Sequence, residues 1–101
     1  MKVLQRSIMK VIPGKMAEAM KLDKKHSAVA MRLGAPPMKK YRCFSGDDFM
    51  HTLIVEAEWD SLAAMEAVQE KLAADPEIQA FMAKWETVLE SLKLEFYLPI
   101  Q

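Results

Sequence analysis

From Val3 to Ile12 the chain interleaves β-branched and apolar residues with Gln5, Ser7 and Lys10, which predicts a strand. Pro13-Gly14 stops it. Lys15 to Leu33 is rich in Ala, Met, Lys and Glu, side chains that lose little freedom in a helix, and Gly34 sits where a C-cap belongs. Pro36-Pro37 enforces an extended exit. Met38 to Ser45 and Phe49 to Trp59 then read as a hairpin joined through Gly46-Asp47. Asp60 or Ser61 can cap a second helix that runs to about Ala74. Asp75-Pro76-Glu77 restarts it with an N-cap, a proline at the first helical position and an acid near the positive end of the dipole. Ile78, Phe81, Met82, Trp85, Val88, Leu89 and Leu92 recur at spacings of three and four, one apolar stripe. Leu92, Leu94, Phe96, Leu98 and Ile100 alternate with Lys93, Glu95, Tyr97 and Pro99 as a last strand.

The order is strand, helix, strand, strand, helix pair, strand, a βαββαβ arrangement of the α+β class. Right-handed crossovers favour a four-stranded antiparallel sheet in the order 4-1-3-2 with helices on one face. A length of 101 residues suits one domain spanning 1–101. Pairing the hairpin across Gly46-Asp47 sets Phe44 against Phe49, Arg42 against His51, Lys40 against Leu53 and Met38 against Val55. That set, continued by Ala57 and Trp59, is expected to meet the helices. The opposite face keeps Tyr41, Cys43, Met50 and Ile54, an apolar patch that a second copy of the chain would cover as a homodimer.

Composition narrows the functions. Fourteen basic residues balance fourteen acidic ones, so the electrostatic footprint of a nucleic-acid binder is missing. One cysteine, Cys43, cannot form an internal disulfide, which suits a reducing compartment. No apolar run approaches the ~20 residues of a membrane span, and the opening residues lack a signal peptide's apolar stretch, so a cytoplasmic location is expected. Nine methionines serve either as gap-fillers in the core or as an adaptable cavity lining.

Ile12-Pro13-Gly14-Lys15, Trp59-Asp60-Ser61, Asp75-Pro76-Glu77-Ile78-Gln79-Ala80-Phe81 and Glu90-Ser91 resemble the dimeric α+β barrel superfamily, especially its NIPSNAP-like and antibiotic-biosynthesis-monooxygenase-like members. The resemblance covers nearly the whole chain in element order and rests on turns and caps. It implies a ferredoxin-like protomer, a homodimer whose sheets form a barrel, and a cleft between sheet and helices. Members include cofactor-independent oxygenases of aromatic polyketides, heme-degrading oxygenases and isomerases, so the reaction stays open. The heme-degrading members place a histidine where this chain has Met82 or its neighbours, so heme is not expected. NIPSNAP-like chains usually carry an arginine shortly before the Pro-Gly, whereas Arg6 here lies two positions further out and Ile8 is nearer that spot.

Several residues are candidates for chemistry. Arg42 offers a planar fork for an oxyanion, and His51 or His26 can move a proton near neutral pH. The bland alternative has Arg42 snorkelling to water and His51 capping a carbonyl. Asp23, His26 and Ser27 share about one turn of the first helix, with Asp23 and Ser27 on the face of Met16, Met20, Ala30 and Met31. Polar groups there either line a cleft, with His26 at its rim, or sit at a bend that exposes them. Trp59 and Trp85 are flat walls for an aromatic ligand or plain core anchors, and Met82 joins the ligand-binding candidates. Asp47-Asp48 reads as a solvated turn rather than a metal site. Two functions follow. One is a metal- and cofactor-free oxygenase or isomerase of a small aromatic or polyketide-like molecule; the other is a binding protein for a hydrophobic carboxylate such as a fatty acid.

Overall fold

The computed structural model describes residues 1–46 and 49–100. Along the chain lie β1 (Val3–Val11), α1 (Met16–Arg32), β2 (Met38–Arg42), β3 (Thr52–Trp59), α2 (Leu62–Ala74), α3 (Pro76–Val88) and β4 (Leu89–Tyr97). The four strands form one antiparallel sheet in the order β2-β3-β1-β4, the order expected from the crossover rule. This is a ferredoxin-like α+β fold.

Local chemistry sets the helix boundaries. At the end of α1, Ala35 N–H bonds to Ala30 C=O and Gly34 N–H to Met31 C=O, a Schellman closure. It needs the left-handed backbone that Gly34 adopts at φ +113°. Ser61 rather than Asp60 caps α2, its hydroxyl accepting from Ala64 N–H at 3.0 Å. The Asp75 carboxylate accepts from Glu77 and Ile78 N–H at 2.9 and 3.0 Å, so one residue closes α2 and opens α3.

Several boundaries differ from expectation: β2 ends at Arg42 rather than Ser45, β3 begins at Thr52 rather than Phe49, and β4 ends at Tyr97 rather than Ile100. The apolar spacing of α3 runs on to Leu92, but the helix stops at Val88, and Leu89 and Leu92 already belong to β4. Both residues fit a helical spacing and a strand alternation equally well. Pairing decides the matter: Val11 lies opposite Leu89 and Met9 opposite Leu92. The hairpin register is also shifted by two residues, with Lys40 opposite Val55 and Arg42 opposite Leu53. Cys43 bonds through its N–H to Thr52 and through its C=O to Met50, which sits at φ 64°. The extra residues are taken up as a bulge beside the loop. Asp47 and Asp48, and with them the expected Gly46-Asp47 turn, lie outside the described residues. A shift of two preserves the pleat, so the paired residues keep the face the alternation assigned to them, whereas Phe44, Phe49 and His51 lie beyond the ladder and are exposed rather than set against the helices.

Alternate positions of the central strands, Val3, Met9 and Val11 on β1 and Leu53, Ala57 and Trp59 on β3, are buried beneath the helices. One cluster joins Met9, Val11 and Leu53 to Leu22, Val29, Ile78, Phe81 and Trp85. A second joins Val3 and Trp59 to Ala30, Ala35 and Met65. The molecule is a slab of 37 × 37 × 18 Å, thin enough for two layers only. The uncovered sheet face mixes apolar and charged side chains. Leu4, Ile8, Ile54 and Tyr41 share it with an Arg6–Glu56 ion pair at 2.7 Å, and the Arg6 guanidinium lies 4.9 Å from the centre of the Tyr97 ring. Among the described residues, no helix is long and apolar enough to cross a membrane.

Candidate ligand-binding cleft

A cavity of about 220 Å³ opens between the helix-facing side of the sheet and helices α1 and α3. Met9, Val55, Leu72, Met82 and Leu94 contribute to its apolar lining. Six polar side chains interrupt that lining: Gln5 and Ser7 from β1, Asp23, His26 and Ser27 from α1, and Gln69 from α2. Ser27 is buried, whereas Met20 and Met31 of the same helix are about half exposed at 47% and 46%. The inward stripe of α1 is therefore Ala19, Leu22, Val29 and Ala30 with the polar group threaded through it.

The polar groups are tied to specific partners. Lys40 on β2 places its Nζ 2.7 Å from Asp23 Oδ2, and the Ser27 hydroxyl donates to Asp23 Oδ1 in a long bond of 3.5 Å. Trp85 donates its indole N–H to His26 Nδ1 at 2.9 Å, and Phe81 stacks on the same imidazole with centroids 5.5 Å apart. Trp59 donates its indole N–H to Gln5 Oε1 at 3.0 Å. Burial holds the His26 imidazole below the ordinary histidine range; the Asp23 charge opposes this, and Lys40 adds to it. His26 is thus a neutral ring at physiological pH.

No protein-family model and no curated protein matches the chain. Solved structures do resemble it. A NIPSNAP domain protein from Burkholderia xenovorans superposes with a TM-score of 0.81 at 25% identity, over 99% of this chain and 95% of that one. A NIPSNAP family protein from Agrobacterium tumefaciens gives 0.81 at 24% identity, over 98% and 86% of the two chains. SnoaB, a cofactor-independent oxygenase from Streptomyces nogalater, gives 0.76 at 15% identity, over 99% and 94%. The chain has the NIPSNAP fold.

Within this NIPSNAP-type fold, Asp23, His26, Ser27, Trp59, Met82 and Trp85 all line the cleft. His26 is half-buried, its ring stacked on Phe81 and hydrogen-bonded to Trp85 of α3. Arg42 and His51 are not brought together. The two-residue register shift sets Arg42 opposite Leu53, both side chains are exposed, and neither lines the cavity. His51 instead accepts Val11 N–H through its backbone carbonyl at 2.7 Å. Gln5, Ser7, Lys40 and Gln69 were not among the expected site residues. Gln5 and Ser7 left a legible signal, since both occupy inward positions of β1 between Val3 and Met9 where an apolar residue would be the rule. The Lys40–Asp23 contact joins β2 to α1 and has no signature in local spacing.

Proposed function

We propose that the chain is a homodimeric protein that takes a small, flat, uncharged aromatic molecule between sheet and helices and acts on it as a cofactor-independent oxygenase or isomerase. The cleft carries this reading: an apolar cavity bounded by Trp59 and Trp85, with a neutral histidine and a few polar groups in its wall. Its volume of about 220 Å³ lies below the ~300–1,000 Å³ of drug-sized sites, which favours a compact ring system over a long acyl chain. Charge disfavours a carboxylate ligand. Among the described residues no lysine or arginine lines the cavity, Lys40 is already paired with Asp23, and Arg42 lies outside. A carboxylate buried there would lack a counter-charge, at a cost of several kcal/mol.

The likeness to SnoaB supports oxygenation without a bound cofactor as one form of the chemistry. In that form an aryl ketone, reacting through its uncharged enol, gives electrons to dioxygen. A ring CH2 becomes a carbonyl, the second oxygen atom leaves as water, and no outside reductant is needed. A second copy is invoked because all three helices lie on one side of the sheet, leaving Leu4, Ile8, Ile54 and Tyr41 half covered or exposed on the other. A two-fold axis would bury that face in both copies at once. Oxygen uptake with anthrone- and naphthol-type compounds tests the enzymatic part, with indole fluorescence as the measure of binding. Saturable binding with turnover is expected; absence of binding by any flat aromatic would overturn the reading.

A further inference from the structure

The two tryptophans determine which hydrogen-bonding groups the cleft offers to a ligand. An indole N–H donates and cannot accept. The Gln5 atom 3.0 Å from Trp59 Nε1 must therefore be the amide oxygen, which turns the NH2 group away from that ring. The His26 Nδ1 atom 2.9 Å from Trp85 Nε1 must carry a lone pair, so the proton of the neutral imidazole sits on Nε2. Neither the Gln5 amide nitrogen nor His26 Nε2 has a hydrogen-bond partner among the described residues, and both side chains line the cavity. The one carboxylate in the lining, Asp23, already accepts from Lys40 and Ser27. At these two places a guest meets N–H, while Ser7 and Gln69 elsewhere in the lining can either donate or accept.

Resting on the reading of this cleft as a small-molecule site, we propose that it selects molecules presenting hydrogen-bond acceptor oxygens, aryl ketones above all, which take N–H bonds from Gln5 and His26 while Trp59 and Trp85 hold those donors in position. The tryptophans are positioning residues. They fix an amide orientation and a ring tautomer, and their N–H groups are unavailable to the ligand. A molecule whose polar groups only donate would leave both of these donors unsatisfied.

The test compares 1-tetralone with tetralin, which share a carbon frame and differ by the carbonyl. Binding to the full chain is followed through the indole N–H resonances, of which two exist because the sequence holds two tryptophans. Tetralone should bind roughly two- to tenfold more tightly than tetralin for each hydrogen bond made. His26→Phe and Gln5→Leu each remove one donor, and at least one of them should bring the tetralone-to-tetralin ratio down toward one. Long-range proton–nitrogen spectra of the unsubstituted protein should show His26 protonated at Nε2 and bare at Nδ1, and Trp85→Phe should remove that preference. A proton on Nδ1 in the unsubstituted chain would overturn the proposal even if no variant folds. Equal affinities for the two probes, or a ratio unmoved in both variants, would overturn the selection while leaving the cleft reading intact. Failure of both probes to bind would overturn the cleft reading and the selection with it.

Discussion

Trp85 is buried and stands at the junction of core and cleft, so Trp85→Phe is the substitution with the most to say. Three losses add up. The smaller ring gives up ~50 Å² of buried apolar contact, about 1.2 kcal/mol at 25 cal/mol per Å². The space left behind costs about 0.5–1 kcal/mol if the surroundings relax only in part. The N–H bond to His26 Nδ1, 2.9 Å long, contributes about 1 kcal/mol net. The expected destabilisation is about 3 kcal/mol. With a urea m-value of ~1–1.5 kcal/mol per M for a chain of this size, the midpoint should fall by about 2–3 M at fixed protein concentration. A double-mutant cycle separates the hydrogen bond from the packing: His26→Phe orphans the Trp85 N–H, and the doubly substituted chain removes both partners. Their coupling should be about 0.5–1.5 kcal/mol. A coupling below ~0.3 kcal/mol would mean that the indole N–H does not hold the imidazole, and the reasoning from tautomer to ligand would fail.

Further outcomes are expected from the same structure. The lowered pKa of His26 means that just below pH ~6.5 the unfolded chain binds a proton the folded chain refuses. Its contribution to stability is therefore full above about pH 6.5 and is lost as pH falls through the lower folded value; urea midpoints measured across this range should show that slope, and His26→Phe should flatten it. Asp75→Ala deprives the Glu77 and Ile78 N–H groups of their shared acceptor and should cost about 1–2 kcal/mol, readable as a lower urea midpoint. Gly34→Ala puts a side chain at φ +113°, with its Cβ 3.2 Å from Val68 Cγ2, and should cost about 1 kcal/mol or more, a drop of roughly 4–8 °C in Tm for each kcal/mol.

The parts of this fold that were legible in the sequence are those set by local chemistry. Pro13-Gly14, Gly34 and Asp75-Pro76-Glu77 each mark a boundary through a backbone requirement that few residues meet, and the strand order followed from connection handedness. The hairpin register is not legible in the sequence, because loop length decides it: Gly46-Asp47 suits a two-residue turn, whereas Cys43 bonds to both Met50 and Thr52 and Met50 sits at φ 64°. The observed register separates Arg42 from His51 yet leaves the faces intact, since the shift is even. The cleft residues of α1 could be found because Asp23 and Ser27 are polar on an apolar stripe. Their connections could not: Lys40 to Asp23 and Trp85 to His26 join residues 17 and 59 positions apart in the sequence. Such pairs exist only once the helices are laid on the sheet.

Native mass spectrometry of gently purified protein weighs occupant and assembly together. A particle of twice the chain mass, holding a small uncharged aromatic compound that is released on mild activation, is what this structure leads us to expect. A bare single chain that stays alone and empty when incubated with excess 1-tetralone would contradict it.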